Sequence, residues 1–243
     1  MDWTRIVYVL IAFVLIYYLL SWFLETSVKL TGVRSGKTME EIEASKTITK
    51  KSNFAYSIWF NIADWSGVGE YGARKSLFQK GNSVAEEAMA SNGNTNGVLI
   101  NTYFKEYENN LIIELAYKDE SQRLVYHACE IYNVPLQKWV NIIISLNTKV
   151  IDVYMNGKLV KTSIMPRPPA LGTTLEKVYL TPNGGFSGET ANFRFFPDSL
   201  NPQEAWNVYK SGYGSGFLSA LLNKYKLKVA FLKDNVEHNS FII

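Results

Sequence analysis

The chain has 243 residues, with 25 Lys and Arg against 22 Asp and Glu and a net charge of +3. Its Lys and Arg are spread rather than clustered, which gives no electrostatic footprint for nucleic acid. One cysteine, Cys129, excludes an intrachain disulfide, and a composition rich in Tyr, Phe, Val and Ile favours strands around an ordinary globular core.

The first element is apolar. The nineteen residues from Ile6 to Leu24 contain no charge, proline or glycine. A helix of that length rises ~28 Å, close to the hydrocarbon thickness of a bilayer. Ile6, Leu10, Phe13, Leu15, Tyr18, Leu20, Trp22 and Leu24 supply its surface. Trp3, Tyr8 and Trp22 lie near its ends, where amphipathic rings favour the headgroup level. The run ends Ser21-Trp22-Phe23-Leu24-Glu25, with bulky residues where a signal peptidase needs small ones. The run predicts a transmembrane anchor over residues 1–25, with the lipid bilayer as partner. Lys29, Arg34 and Lys37 outnumber Arg5 across the membrane, which predicts a cytoplasmic C-terminal domain. The absence of an Asn-x-Ser/Thr acceptor agrees with that side.

Residues 26–52 are polar and broken by Thr31-Gly32 and Ser35-Gly36. They predict a solvated connector, with a short helical turn over Met39–Ser45. From Asn53 the texture changes. Phe54–Ile62 alternates, as a strand with one buried face does. Ser76–Lys80 is a second strand. Val98–Tyr107 and Leu111–Tyr117 flank Glu108-Asn109-Asn110 as a hairpin, and Leu124–Ile131 follows. Trp139–Leu146 precedes Val150–Met155 and Lys158–Ile164, the last two joined by Asn156-Gly157, the preferred two-residue hairpin turn. Val178–Thr181 and Ala191–Phe196 are further strands. Asn201–Tyr209 reads as a helix with Asn201 as N-cap, Pro202 at the first position and Glu204 closing a capping box. Leu227–Leu232 and Val236–Ile243 form a last hairpin about Asp234-Asn235. Many short strands with frequent turn signals predict a mainly β sandwich over residues 53–243.

Five stretches in order resemble the laminin G-like branch of the concanavalin A-like lectin/glucanase superfamily. They are Tyr56–Phe60, Leu77–Gly81, Gln137–Ile142 with Asp152–Val160, Phe186–Phe196, and Leu200–Ala205. The resemblance implies a jelly-roll β-sandwich. Trp59 and Trp139 are expected on inward-facing positions of its core.

Glucanases of that superfamily carry a Glu-x-Asp-x-x-Glu strand, whose spacing puts acid and nucleophile on one face. No such pattern occurs here. Glu106 and Glu108 have the first spacing, but Leu111 stands where the third acid belongs. His127 and Cys129 share a strand face at i, i+2 and read as packing, and two side chains are too few for a structural metal site. Asp64, Asp152 and Asp198 are weak calcium candidates. Gly212–Gly216 follows a helix, so it reads as a link rather than a phosphate loop. No catalytic residue, metal or cofactor is expected.

These readings predict a non-enzymatic, membrane-anchored scaffold whose sandwich docks neighbouring proteins. The sandwich, the anchor and the Lys228–Asn235 pattern resemble minor capsid proteins of large icosahedral DNA viruses, which implies a place in a virion between inner membrane and shell, with capsid proteins as partners. The alternative is a lectin, with Tyr103 and Tyr107 stacking on carbohydrate. A membrane-bound glycosidase is the least supported reading.

Overall fold

The computed structural model describes residues 8, 11–12, 14–16, 27–47, 52–66, 71–85, 97–170, 176–214, 228–233 and 236–242. Alternating apolar residues build two antiparallel sheets that face each other as a sandwich. One sheet runs β1(Val28–Thr31), β13(Ser187–Phe196), β4(Phe54–Asp64), β9(Val140–Asn147), β10(Val150–Met155), β11(Lys158–Ile164), with β2(Arg34–Ser35) also on β13. The other runs β3(Glu40–Ile42), β12(Lys177–Leu180), β5(Lys75–Gly81), β6(Val98–Phe104), β7(Leu111–Lys118), β8(Leu124–Ile131). The pair β14(Lys228–Lys233) and β15(Val236–Ile242) forms a two-stranded sheet of its own.

The core lies between the two large sheets. On β4, Phe54, Tyr56, Ile58, Phe60 and Ile62 point inward at the two-residue period of a strand. Tyr56 joins the sheets, with its ring centroid 5.3 Å from Phe78 on β5 and 5.2 Å from Phe195 on β13. Two lysines enter this interior. Lys75 sits with its ammonium 4.2 Å from the Trp65 ring centroid, a cation–π contact. Lys80 is buried and donates from Nζ to the Thr47 carbonyl at 2.9 Å, and burial pushes its pKa down to about 8 against a partial pull from Glu176.

The helix α1(Pro202–Lys210) forms where the sequence predicts it. The Glu204 amide donates to Asn201 Oδ1 at 2.9 Å, and the Asn201 amide donates to Glu204 Oε2 at 2.8 Å. Ala205 packs on Ile143 and Tyr154 of β9 and β10. The Asn156-Gly157 turn takes positive φ at both positions, 51° and 74°, and docks under the helix. A Cβ on Gly157 would lie 2.7 Å from the Trp206 ring.

Two expectations are corrected. The predicted connector over residues 26–52 is woven into the sandwich: β1 and β2 pair with β13, and β3 pairs with β12. Glu40–Ile42, within the predicted helical turn, is strand, and a single 3-10 turn follows at Ala44–Thr47. These are short edge strands. Only Leu30, Thr31, Ile42, Ala44 and Thr47 turn inward, so polar outer residues dominate the composition and mask the alternation. The second correction concerns the two tryptophans. Inward places on β4 fall at even numbers, so Trp59 points to the outer face, where it stacks on Tyr209 of α1 at 5.5 Å and meets Tyr213 edge-on at 5.7 Å. Trp139 precedes β9, is half-buried, and stacks on Tyr213 at 4.5 Å.

The predicted anchor lies largely outside the described residues. Tyr8, Ile11, Ala12, Val14, Leu15 and Ile16 are helical and exposed. Ile6, Leu10, Phe13, Tyr18, Leu20, Trp22 and Leu24 are not among them. No helix of the described residues is long and apolar enough to cross a membrane.

Candidate functional site

The outer face of the six-stranded sheet carries polar residues in one cross-strand row. Glu41, Tyr179, Gln79, Asn101 and Glu114 are register partners on β3, β12, β5, β6 and β7. Cross-strand neighbours on one face approach within hydrogen-bonding reach, and here they form a chain. Gln79 Nε2 donates to Asn101 Oδ1 at 2.9 Å, and Asn101 Nδ2 donates to Glu114 Oε2 at 3.0 Å. The Tyr103 hydroxyl donates to Glu114 Oε1 at 3.3 Å. Burial pushes the Tyr103 hydroxyl up to about 12, with the Glu114 charge adding to it.

Tyr103 is 8% exposed, and the Arg74 guanidinium lies 4.9 Å above its ring. Its ring is therefore presented to Arg74 rather than to solvent. Arg74 Nε in turn donates to Glu106 Oε1 at 2.7 Å, which holds the Glu106 carboxyl below its usual range.

Tyr107 stands differently. It is 68% exposed just past the end of β6, and Tyr71 at 70% packs edge-on against it at 5.6 Å. The loop between β6 and β7 is fastened to the loop after β8. Lys105 Nζ lies 2.6 Å from Glu130 and 3.5 Å from Glu108. Asn110 Nδ2 donates to Glu108 at 2.8 Å and to Glu130 at 3.1 Å, and Asn110 Oδ1 accepts from the Asn133 amide at 3.0 Å. Lys105 holds the Glu130 carboxyl below its usual range, with help from Asn110 and Tyr132. Tyr132, 61% exposed, closes this group. Three loops at one end of the sheet thus present Tyr71, Tyr107 and Tyr132 around a paired-charge network. Large exposed aromatics gathered like this mark a contact surface. The sequence reading found Tyr103 and Tyr107 but missed Tyr71, Arg74 and Tyr132. Nothing local ties those three to Tyr107, and only the strand order brings their loops together.

The remaining candidates do not assemble a reaction centre. His127 Nε2 lies 2.7 Å from Ser163 Oγ, joining β8 to β11, and burial lowers the His127 pKa. No carboxylate among the described residues orients that ring, which a nucleophilic triad requires. Cys129 is buried, and burial pushes its thiol up, the reverse of an activated nucleophile. Asp64 accepts from the Ser66 amide at 2.9 Å as a turn cap. Asp152 and Asp198 line one cleft of about 510 Å3 beside the N-terminus of α1. There Asp152 accepts from Thr162 Oγ1 at 2.6 Å, and Asp198 accepts from the Ser199 amide at 2.8 Å. Among the described residues no three His, Cys, Asp or Glu side chains group as a metal site. Leu111 is a core residue.

The fold matches solved structures at low identity. The ligand-binding domain of botulinum neurotoxin serotype D, in complex with N-acetylneuraminic acid, superposes with a TM-score of 0.51 at 11% identity, covering 77% of this chain and 50% of its own. Domain 4 of AbnA, a GH43 extracellular arabinanase from Geobacillus stearothermophilus, in complex with arabinotriose, gives 0.50 at 11% identity, covering 73% and 75%. The chain spans about half the length or less of the neurotoxin domains it matches. No curated protein matches it in sequence. A family model described as the concanavalin A-like lectin/glucanases superfamily matches residues 35–205. That span runs from the edge strand β2 to the first turn of α1 and takes in every strand of the two large sheets except β1, and the chain therefore belongs to the concanavalin A-like lectin/glucanases superfamily.

Proposed function

We propose that the chain is a non-catalytic carbohydrate-binding module held at a membrane by its N-terminal run. The observation that carries this reading is the rim of Tyr71, Tyr107 and Tyr132, exposed around a network of amides and paired charges. Tyrosines offer rigid apolar faces for sugar rings at low entropic cost, with a hydroxyl for hydrogen bonding. Two neighbours of the same fold are complexed with saccharides, and the missing acid pattern supports binding without hydrolysis. The exposed helical residues Ile11, Val14, Leu15 and Ile16 support insertion into lipid.

The test is a glycan array probed with the detergent-solubilised full chain and with Tyr71→Ala/Tyr107→Ala. Two aromatic contacts at ~0.5–1.5 kcal/mol each predict a loss of about five- to 150-fold in affinity. Glycan binding unchanged in the double variant, or no glycan retained at all, refutes the reading. Release of the full chain from vesicles by alkaline carbonate refutes the anchor.

A second reading, the docking of neighbouring proteins between a membrane and a protein shell, is favoured by β11. This edge strand leaves Leu159, Val160 and Ile164 exposed, as a strand-pairing surface does. Membrane sidedness separates the two: protease access from the cytoplasmic side supports docking, and access from the opposite side supports glycan binding.

A further inference from the structure

Resting on the carbohydrate reading of the tyrosine rim, we infer that this rim selects neutral glycans and discriminates against acidic ones, because each cation built into its network is already neutralised by a neighbouring carboxylate. An anionic sugar needs an Arg or Lys whose charge is available to it. Among the described residues the rim network holds two cations. Arg74 is paired with Glu106 at 2.7 Å. Lys105 lies between Glu130 at 2.6 Å and Glu108 at 3.5 Å. Three carboxylates thus face two cations, and Glu114 adds a fourth under Tyr103. To bind a sugar carboxylate or sulfate, Lys105 or Arg74 has to release a protein carboxylate and leave it unpaired beside the incoming anion. That exchange gains no new charge pairing and adds like-charge repulsion.

The hydrogen-bonding groups around the tyrosines fit hydroxyls instead. The Asn110 amide already bridges Glu108 and Glu130, which fixes the network. Asn133, next to Tyr132 in the chain, is exposed at a left-handed φ of 53°. An amide offers a donor and an acceptor together, the pattern that neighbouring sugar hydroxyls match. Exposed tyrosine faces then supply the apolar contact.

The experiment uses the full chain on immobilised oligosaccharides in matched pairs, N-acetyllactosamine against its sialylated form among them, with arabinotriose as a further neutral probe. The expected result is at least about tenfold tighter binding to the neutral member of each pair at low salt, narrowing toward about 0.5 M salt as screening weakens the repulsion. Glu108→Gln, at an exposed position, removes one carboxylate while keeping an acceptor for Asn110, and is expected to shrink the ratio of neutral to acidic binding. Equal or tighter binding to the acidic members, lost in Tyr71→Ala/Tyr107→Ala, overturns the selectivity and leaves the carbohydrate reading standing. Binding to neither member of any pair overturns the carbohydrate reading and this inference with it.

Discussion

Replacing Trp59 by alanine tests where the second layer of packing lies. The side chain is 5% exposed on the outer face of β4, between Tyr209 and Tyr213. Truncating a buried Trp to Ala costs about 3–5 kcal/mol in transfer and cavity terms. In a chain of this size each kcal/mol lowers Tm by roughly 2–4 °C, so Trp59→Ala is expected to lower Tm by roughly 6–20 °C. Trp139→Ala removes a half-buried ring with one stacking partner, and about 1 kcal/mol is expected from the aromatic pair. Trp59→Phe supplies a control. The Trp59 Nε1–H is buried without a hydrogen-bond partner. Phenylalanine loses volume but also removes that orphan donor, whose burial costs about 1–3 kcal/mol, so the Phe variant is expected to stay within about 2 kcal/mol of wild type. Thermal unfolding followed by far-UV circular dichroism reads all three. A larger loss for Trp139→Ala than for Trp59→Ala would show that the outer-face placement of Trp59 is wrong.

Lys80 gives a pH signature. Its folded pKa, near 8, lies below the ordinary lysine value of 10.5, so folding opposes its charge. The cost is carried in full below about pH 8 and is relieved as pH rises toward 10.5, by up to about 3 kcal/mol. The stability advantage of Lys80→Met over wild type, measured by urea unfolding, is expected to shrink across that window, and a flat difference refutes the assignment. Asn201→Ala removes the side-chain acceptor of the Glu204 amide while the backbone amide of residue 201 can still donate to Glu204 Oε2, and is expected to cost about 1 kcal/mol. An unchanged urea midpoint contradicts the cap. Gly157→Ala forces a side chain onto a left-handed φ and into Trp206, and a loss of at least about 2 kcal/mol is expected in the same assay.

Most of the sandwich is legible in the sequence because its central strands state their own pattern. Val150–Met155, Lys158–Ile164 and Leu124–Ile131 form with the boundaries their alternation and turn residues predict. The capping box of α1 is equally local. Legibility fails where the signal is not local. The edge strands β1, β2 and β3 are too short for alternation to stand out. Trp59 looks like core because it is large, yet its parity sends it outward under a helix some 150 positions later in the chain. The candidate site divides the same way. Tyr107 shows itself beside an Asn-rich turn. Tyr71 and Tyr132 join it only through loops that the β5-β6-β7-β8 order brings to one end of the sheet.

The weaving of the first strands into both sheets has a practical consequence. Arg194 reaches across from β13 to donate to Ser27 Oγ at 2.9 Å, so the edge strand β1 is fastened just ahead of its first residue. A polypeptide trimmed to begin at Asn53 loses β1 and β2 from the outer side of β13 and β3 from the outer side of β12 together. Each large sheet then offers a bare row of amides and carbonyls, an invitation to stick to its own kind. Shortened versions that keep Ser27 onward retain both borders and should stay dispersed. Any tug applied at Ser27 is passed into the seven-stranded sheet through Arg194 and β1.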